Sequence, residues 1–152
     1  MDVEFEPQYK SWTSCEPQTL FDARIITGVN DSKKPIARNI EQQARWAKTL
    51  FIWTDCDREG EHIGTEIREI ARKGNANLEV KRARFSNIER AHVIQAARNP
   101  IDLDEKQAQA VAARIELDLR IGAAFTRMQT LNLQQFLAQV GEEKKVISYG
   151  TF

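Results

Sequence analysis

Long apolar runs are missing from this chain of 152 residues. None approaches the ~20 residues that a helix needs to cross a bilayer. Met1 to Lys10 is acidic and aromatic and lacks the apolar core of a secretory signal. Neither a membrane span nor a secretory route is therefore expected. Excess charge is missing too, because 22 Lys and Arg residues balance 22 Asp and Glu residues. That balance argues against a dedicated basic DNA-binding module, whose usual footprint is a strong positive excess. Charge is nevertheless clustered, with acids crowded from Asp55 to Glu61 and bases from Lys81 to Arg84. Cysteine is scarce: Cys15 and Cys56 stand far apart and form no disulfide framework, so free thiols in a reducing compartment are expected. No internal repeat or low-complexity tract interrupts the chain.

The length suits one domain, or one domain plus part of another. Hydrophobic residues make up 41% and charged residues 29%, an ordinary soluble composition. Residues 1–35 read as irregular, punctuated by Pro7, Pro17, Gly28 and Pro35. Phe5, Tyr9, Trp12 and Phe21 are expected to pin this segment onto a neighbouring surface, and its length suggests a missing upstream element. A helix is predicted near 35–47, with Ile36, Ile40 and Ala44 on one face. A strand follows at Thr49 to Thr54, whose run Leu50-Phe51-Ile52-Trp53 predicts cover on both faces.

The next helix runs to about Lys73, with Ile63, Ile67, Ile70 and Ala71 as its stripe and Gly74-Asn75 as its stop. Leu78 to Phe85 reads as a second strand. Strand, helix and strand over this length make a βαβ unit with parallel strands and a right-handed crossover. Ser86-Asn87-Ile88-Glu89 has the spacing of a capping box, and Asn99-Pro100 closes the helix it opens. A long helical stretch starts near Asp104 and runs to roughly Leu137, with a bend expected at Gly122. Gly141 ends it, and a strand is expected to begin at Val146 to Tyr149.

The most informative feature is Asp55-x-Asp57-x-Glu59-Gly60-Glu61 at the C-terminal edge of the first of these strands. Ligands of open α/β sheets bind outside such strand ends. Alternating carboxylates repel one another unless a cation neutralises them. Mg²⁺ takes hard oxygen ligands, keeps several waters, and often uses one or two carboxylates plus substrate phosphate. Arg58, between the acids, could hold a phosphate oxygen with its guanidinium fork. The plainer reading is that the acids cap the helix and complement its dipole. Capping needs one or two acids rather than four, and spacing alone leaves both readings open.

The stretch Trp53-Thr54-Asp55-Cys56-Asp57-Arg58-Glu59-Gly60-Glu61 resembles the acidic signature of the Toprim fold as type IA DNA topoisomerases carry it. Asp-x-Asp-x-Glu alone is shared loosely with other Toprim enzymes; the Arg-Glu-Gly-Glu continuation is more specific. Arg84-Phe85-Ser86 and Asn99-Pro100 resemble the family's next strand and helix. Glu116-Leu117-Asp118-Leu119-Arg120-Ile121-Gly122-Ala123-Ala124-Phe125-Thr126-Arg127 resembles the eukaryotic topoisomerase III branch. The opening, from Tyr9 through Trp12 to Leu20-Phe21-Asp22-Ala23, resembles the loop before the acidic motif. The likeness covers nearly the whole chain in the right order.

The resemblance implies an α/β fold: a partial Toprim-like parallel sheet with flanking helices over residues 1–100, then a mainly helical segment of the neighbouring domain over 101–152. It implies that Asp55, Asp57 and Glu59 hold Mg²⁺. The implied reaction is Mg-dependent single-strand transesterification by a tyrosine, with strand passage that relaxes or decatenates DNA. The first-strand glutamate is expected before residue 1 and the tyrosine beyond residue 152, so this chain alone is expected to be inactive in strand cleavage. Tyr9 and Tyr149 are not nominated for that role. By the same resemblance Arg58, Arg114, Asp118 and Arg120 contact single-stranded DNA, and the full enzyme works in the nucleus with a RecQ-type helicase as partner.

Several residues keep a plainer reading beside the functional one. His62 stands where eukaryotic members commonly have asparagine; it is expected on the helix surface, with acid–base work as the lesser alternative. Arg114 and Asp118 are one turn apart and could simply pair. Arg127 shares a face with Arg120, and its role stays open. Lys81, Arg82 and Arg84 are expected to form a solvated face, with a phosphate-binding role as the alternative. Trp12, Trp46 and Trp53 are expected in the core. Two rival readings remain: a non-catalytic remnant that binds DNA or a partner, and a haloacid-dehalogenase-like phosphatase, which wants Thr or Val where Glu59 stands.

Overall fold

The computed structural model describes residues 1–139, Gly141 and residues 145–149. In chain order its elements are β1 (Asp2–Phe5), β2 (Ile25–Gly28), α1 (Lys34–Ala44), β3 (Thr49–Ile52), α2 (Arg58–Gly74), β4 (Glu79–Arg82), α3 (Arg90–Arg98) and α4 (Glu105–Gln139). Short 3-10 turns occupy Pro7–Tyr9, Pro17–Phe21 and Asp31–Lys33. The chain packs as two units. One holds Met1 and Val29–Ala113; the other holds Asp2–Gly28 and the chain from Arg114 onward. This division follows packing and differs from a single cut at residue 100, because the N-terminal segment packs in the same unit as the later part of α4.

The first unit contains the expected βαβ arrangement. β3 pairs in parallel with β4, placing Leu50 opposite Val80 and Ile52 opposite Arg82, and α2 is the crossover. α1 lies close against α2: a Cβ on Gly74 would stand 2.1 Å from the Glu41 carbonyl oxygen. Ala44, Ala71 and Leu78 form the shared core, with Ile40, Ala47 and Leu50 packed against it.

Several expected faces are displaced. The buried side of α2 consists of Gly60, Glu61, Gly64, Thr65, Ile70 and Ala71, whereas Ile63 is exposed. Small residues let the helix approach β3, and Gly64 lies against the Ile52 side chain. Ile36 is exposed although Ala44, two turns on, is buried. On β3 Ile52 is buried, but Phe51 and Trp53 are more than two-fifths exposed, so the apolar run is not covered on both faces. Trp46 is 89% exposed, because α1 ends at Ala44 and Trp46 falls in the turn that follows. The capping box does not form. α3 begins at Arg90, and Glu89 caps it without a side-chain bond. Asn87 instead accepts from the Glu89 amide at 3.0 Å, the asparagine turn that competes with helix.

In the second unit β1 and β2 pair antiparallel, with Phe5 opposite Ile25, where an irregular segment was expected. The strands are only four residues long each, too short for a sustained alternation to be visible. Phe5, Leu20, Ala23 and Ala124 make the core, joined by Tyr9, Cys15, Ile25, Leu119 and Ala123. α4 runs through Gly122 without a break. Gly141 adopts φ +75°, the left-handed conformation that glycine allows after a helix. Residues 146–149 form no strand. They are held along α4 by threonines: the Ile147 amide donates to Thr130 Oγ1 at 2.9 Å and the Tyr149 amide to Thr126 Oγ1 at 3.0 Å. Both cysteines are free thiols.

Candidate metal centre

β3 ends at Ile52 and α2 begins at Arg58, so the acidic residues occupy the turn between a parallel strand and its crossover helix. Asp57 is the N-cap of α2, and its Oδ1 accepts from the Gly60 amide at 2.7 Å. The Thr54 hydroxyl donates to the Gly60 carbonyl at 2.8 Å, tying the start of the turn to the first helical turn. Gly60 is required there: a Cβ would stand 1.9 Å from the Asp55 carbonyl oxygen. Cys56 fixes the other side of the turn. Its Sγ accepts from the Phe85 amide at 3.0 Å, and its thiol donates to the Phe85 carbonyl. The Trp53 and Phe85 rings lie 5.7 Å apart beside this contact.

The four carboxylates of the motif have different fates. Asp55 and Asp57 are exposed and Glu59 is half-buried. Glu61 is almost wholly buried, at 1% exposure, and belongs to a different structure. Its Oε1 accepts from Arg82 Nε at 3.1 Å, and its Oε2 accepts from the Asp104 amide at 3.0 Å. Arg82 has no exposed surface. Its guanidinium also donates to the carbonyls of Asp55 at 2.6 Å, Ala83 at 2.8 Å and Ile52 at 3.4 Å. The expectation of a solvated basic face therefore fails at Arg82, whose position in the β4 register points it under the acidic turn; Arg84 is exposed.

Neighbouring charges are spent on structure. Glu66 pairs with the Met1 amino group and, at 3.3 Å, with His62 Nε2, which leaves His62 a half-buried pairing role. The Asp104 carboxyl lies below the usual carboxylate range because it accepts from the Gln107 backbone amide at the start of α4. Glu105 is held low by its bond from Arg68, and Arg68 is raised by the same contact.

Of the residues nominated from sequence, Asp55, Asp57, Arg58 and Glu59 come together at this turn, with Arg58 exposed. Arg114, Asp118 and Arg120 lie on the part of α4 that belongs to the second unit. Arg114 and Asp118 are exposed. Arg120 is occupied: it pairs with Glu116 at 2.8 Å and donates to the carbonyls of Ala23 at 2.7 Å and Leu20 at 3.0 Å. Arg127 is buried in the same way, donating to the carbonyls of Tyr9 at 2.7 Å and Ser11 at 3.1 Å. Both arginines satisfy backbone groups of the N-terminal segment.

Among the described residues no three His, Cys, Asp or Glu side chains are gathered as a ready metal cage. The donor chemistry fits an open, hydrated site instead. Two exposed carboxylates one residue apart, beside a half-buried third, suit Mg²⁺, which retains waters and needs few protein ligands. The capping bond to Asp57 uses only Oδ1. Reading from sequence missed the Arg82–Glu61 pair. The available signal was an arginine two residues from Val80 on an otherwise inward strand face.

A model of the Toprim domain matches residues 8–88, more than half of the chain. Domains of that family bind divalent metal, typically Mg²⁺. The chain is 50% identical over 149 residues to a DNA topoisomerase 3 of Schizosaccharomyces pombe, covering 98% of this chain and 24% of the relative. It is 43% identical to a DNA topoisomerase 3 of Saccharomyces cerevisiae, covering 98% of this chain and 25% of that relative. It is 45% identical to the DNA topoisomerase 3-alpha of Homo sapiens, covering 97% of this chain and 15% of the relative. The chain thus spans about a quarter or less of the length of these relatives.

Proposed function

The chain belongs to the Toprim family, and from that premise we propose that it is the metal-binding part of a type IA DNA topoisomerase of the topoisomerase III kind. The observation that carries this reading is the Asp55-x-Asp57-x-Glu59 turn at the end of a parallel strand, in a chain whose relatives are named DNA topoisomerase 3. Asp55, Asp57 and Glu59 would hold Mg²⁺. When bound, the ion supplies positive charge against the DNA phosphate. Arg58 stands beside the acids and offers a fork to a phosphate oxygen. The Asp57 cap and the close contact at Gly60 hold the turn in place, so the carboxylates need little reorganisation on binding.

The substrate of the whole protein is single-stranded DNA. Arg114 and Asp118 are the exposed candidates on α4 for contact with it, whereas Arg120 contributes by holding the N-terminal segment. A RecQ-type helicase as partner and the nucleus as location belong to the same proposal.

The test is a chimera in which this chain replaces the matched segment of the S. pombe DNA topoisomerase 3. It is expected to relax supercoiled DNA when Mg²⁺ is present. Asp55→Asn/Asp57→Asn should lower that rate by about 100-fold or more, the scale of losing a charge-stabilising group. A folded chimera that relaxes nothing would leave the chain a binding module only. Activity that survives the double substitution would remove the acidic turn from the chemistry.

A further inference from the structure

Beneath the acidic turn lies an ion pair that the metal reading does not use. Arg82 and Glu61 are at most 1% exposed, and between them their side chains bond four other backbone groups of the first unit. Arg82 reaches the end of β3 through Ile52, the acidic turn through Asp55, and its own strand through Ala83. Glu61 lies in the first turn of α2 and accepts from the Asp104 amide, just before α4. A buried pair of this kind is weak evidence for stability, because desolvation offsets the attraction. Its geometry is what distinguishes it. The shortest of the arginine's bonds, 2.6 Å, goes to the backbone carbonyl of Asp55. The same oxygen is closely approached by Gly60.

We propose that Arg82, anchored by Glu61, is a positioning residue for the metal site: by holding the Asp55 carbonyl it fixes the direction in which the Asp55 and Asp57 carboxylates leave the turn. This rests on the reading that those two carboxylates take the metal. A planar guanidinium is required, since one group must meet the Glu61 carboxylate and three separate carbonyls in fixed directions. A lysine keeps the charge and loses the fork. Glu61, though part of the acidic motif, is the anchor of this device and does not face the ion.

The experiment compares the wild-type chain with Arg82→Lys and with Glu61→Met/Arg82→Met. The second variant replaces the pair by apolar side chains, a change that buried pairs often tolerate. Whichever variant keeps the wild-type far-ultraviolet spectrum and melting transition is read. Two quantities are measured on it: the amide chemical shifts of Cys56, Asp57 and Gly60 without metal, and the affinity for Mn²⁺ from the free-ion electron paramagnetic resonance signal. The proposal expects displaced turn amides and an affinity lower by about tenfold or more, the usual loss when a partner of a metal ligand is removed. Unchanged affinity in a folded variant would overturn it and leave the metal site standing. A wild-type chain that binds no Mn²⁺ through Asp55 and Asp57 would overturn the site itself, and the positioning role with it.

Discussion

The α-carbon of Gly60 faces the backbone carbonyl of Asp55 so closely that a methyl group there would stand 1.9 Å from the oxygen. Nothing flexible can yield, since the opposing atom belongs to the main chain of the acidic turn. Gly60→Ala is therefore expected to destabilise the chain by about 1–3 kcal/mol, the range for forced overpacking. Gly122 is the control. A Cβ there meets nothing within 4 Å, and the residue lies inside α4. Gly122→Ala should stabilise by about 0.5–1 kcal/mol through helix propensity alone. Urea unfolding of the two variants measures both, and a Gly60→Ala transition at the wild-type midpoint would contradict the geometry.

Asp57 has one task in the fold and a second in the proposed metal site, and substitution can separate them. As N-cap it accepts from the Gly60 amide, which asparagine does as well as aspartate. As the proposed metal ligand it would need its charge. Asp57→Asn should leave thermal stability near wild type and weaken metal binding. Asp57→Ala should weaken metal binding and also cost about 1 kcal/mol of stability. Equal melting temperatures for the two variants would show that the cap contributes nothing.

Breaking the buried pair from one side leaves a charge without its partner. Glu61→Met alone is expected to cost about 3–5 kcal/mol, whereas Glu61→Met/Arg82→Met should cost far less, because no buried charge remains. A double-mutant cycle in chemical denaturation reads the coupling. Simple additivity of the two single losses would refute the pairing.

Acid sensitivity should be traceable to Glu105. Its carboxyl lies below its ordinary value of 4.5 because Arg68 donates to it. A carboxyl depressed in the folded state stabilises above its unfolded value and loses that contribution as pH falls through the lowered folded value. The wild type should therefore lose stability relative to Glu105→Gln as pH drops below about 4.5. The effect is modest, since Glu105 is half exposed and solvent screens the pair. Parallel stability–pH curves for the two proteins would contradict it.

The βαβ unit, its parallel pairing and the acidic turn were legible because strand, helix and stop signals each occupy enough residues to show a period. β1 and β2 were not, since strands of four residues carry no readable alternation. The burial errors have local causes. Trp46 and Ile63 look like core by hydrophobicity, yet Trp46 falls in the turn after α1, and α2 meets β3 through Gly64, where small size rather than apolar character permits contact. The motif's spacing identified the carboxylates but could not sort them. Only the packing of β4 against α2 shows that Glu61 turns inward to Arg82 while Asp55 and Asp57 face out. Arg120 and Arg127 were legible as a shared face of a helix. Their partners, backbone carbonyls about a hundred residues earlier, leave no trace in local pattern.

The most direct measurement is a calorimetric titration of the chain with Mg²⁺, set beside the same titration of Asp55→Asn/Asp57→Asn. A binding heat is expected for the wild type that disappears in the variant, while both proteins keep the same far-ultraviolet spectrum, since asparagine preserves the Asp57 cap. Equal heats in the two proteins, or none in either, would contradict a metal site at this turn.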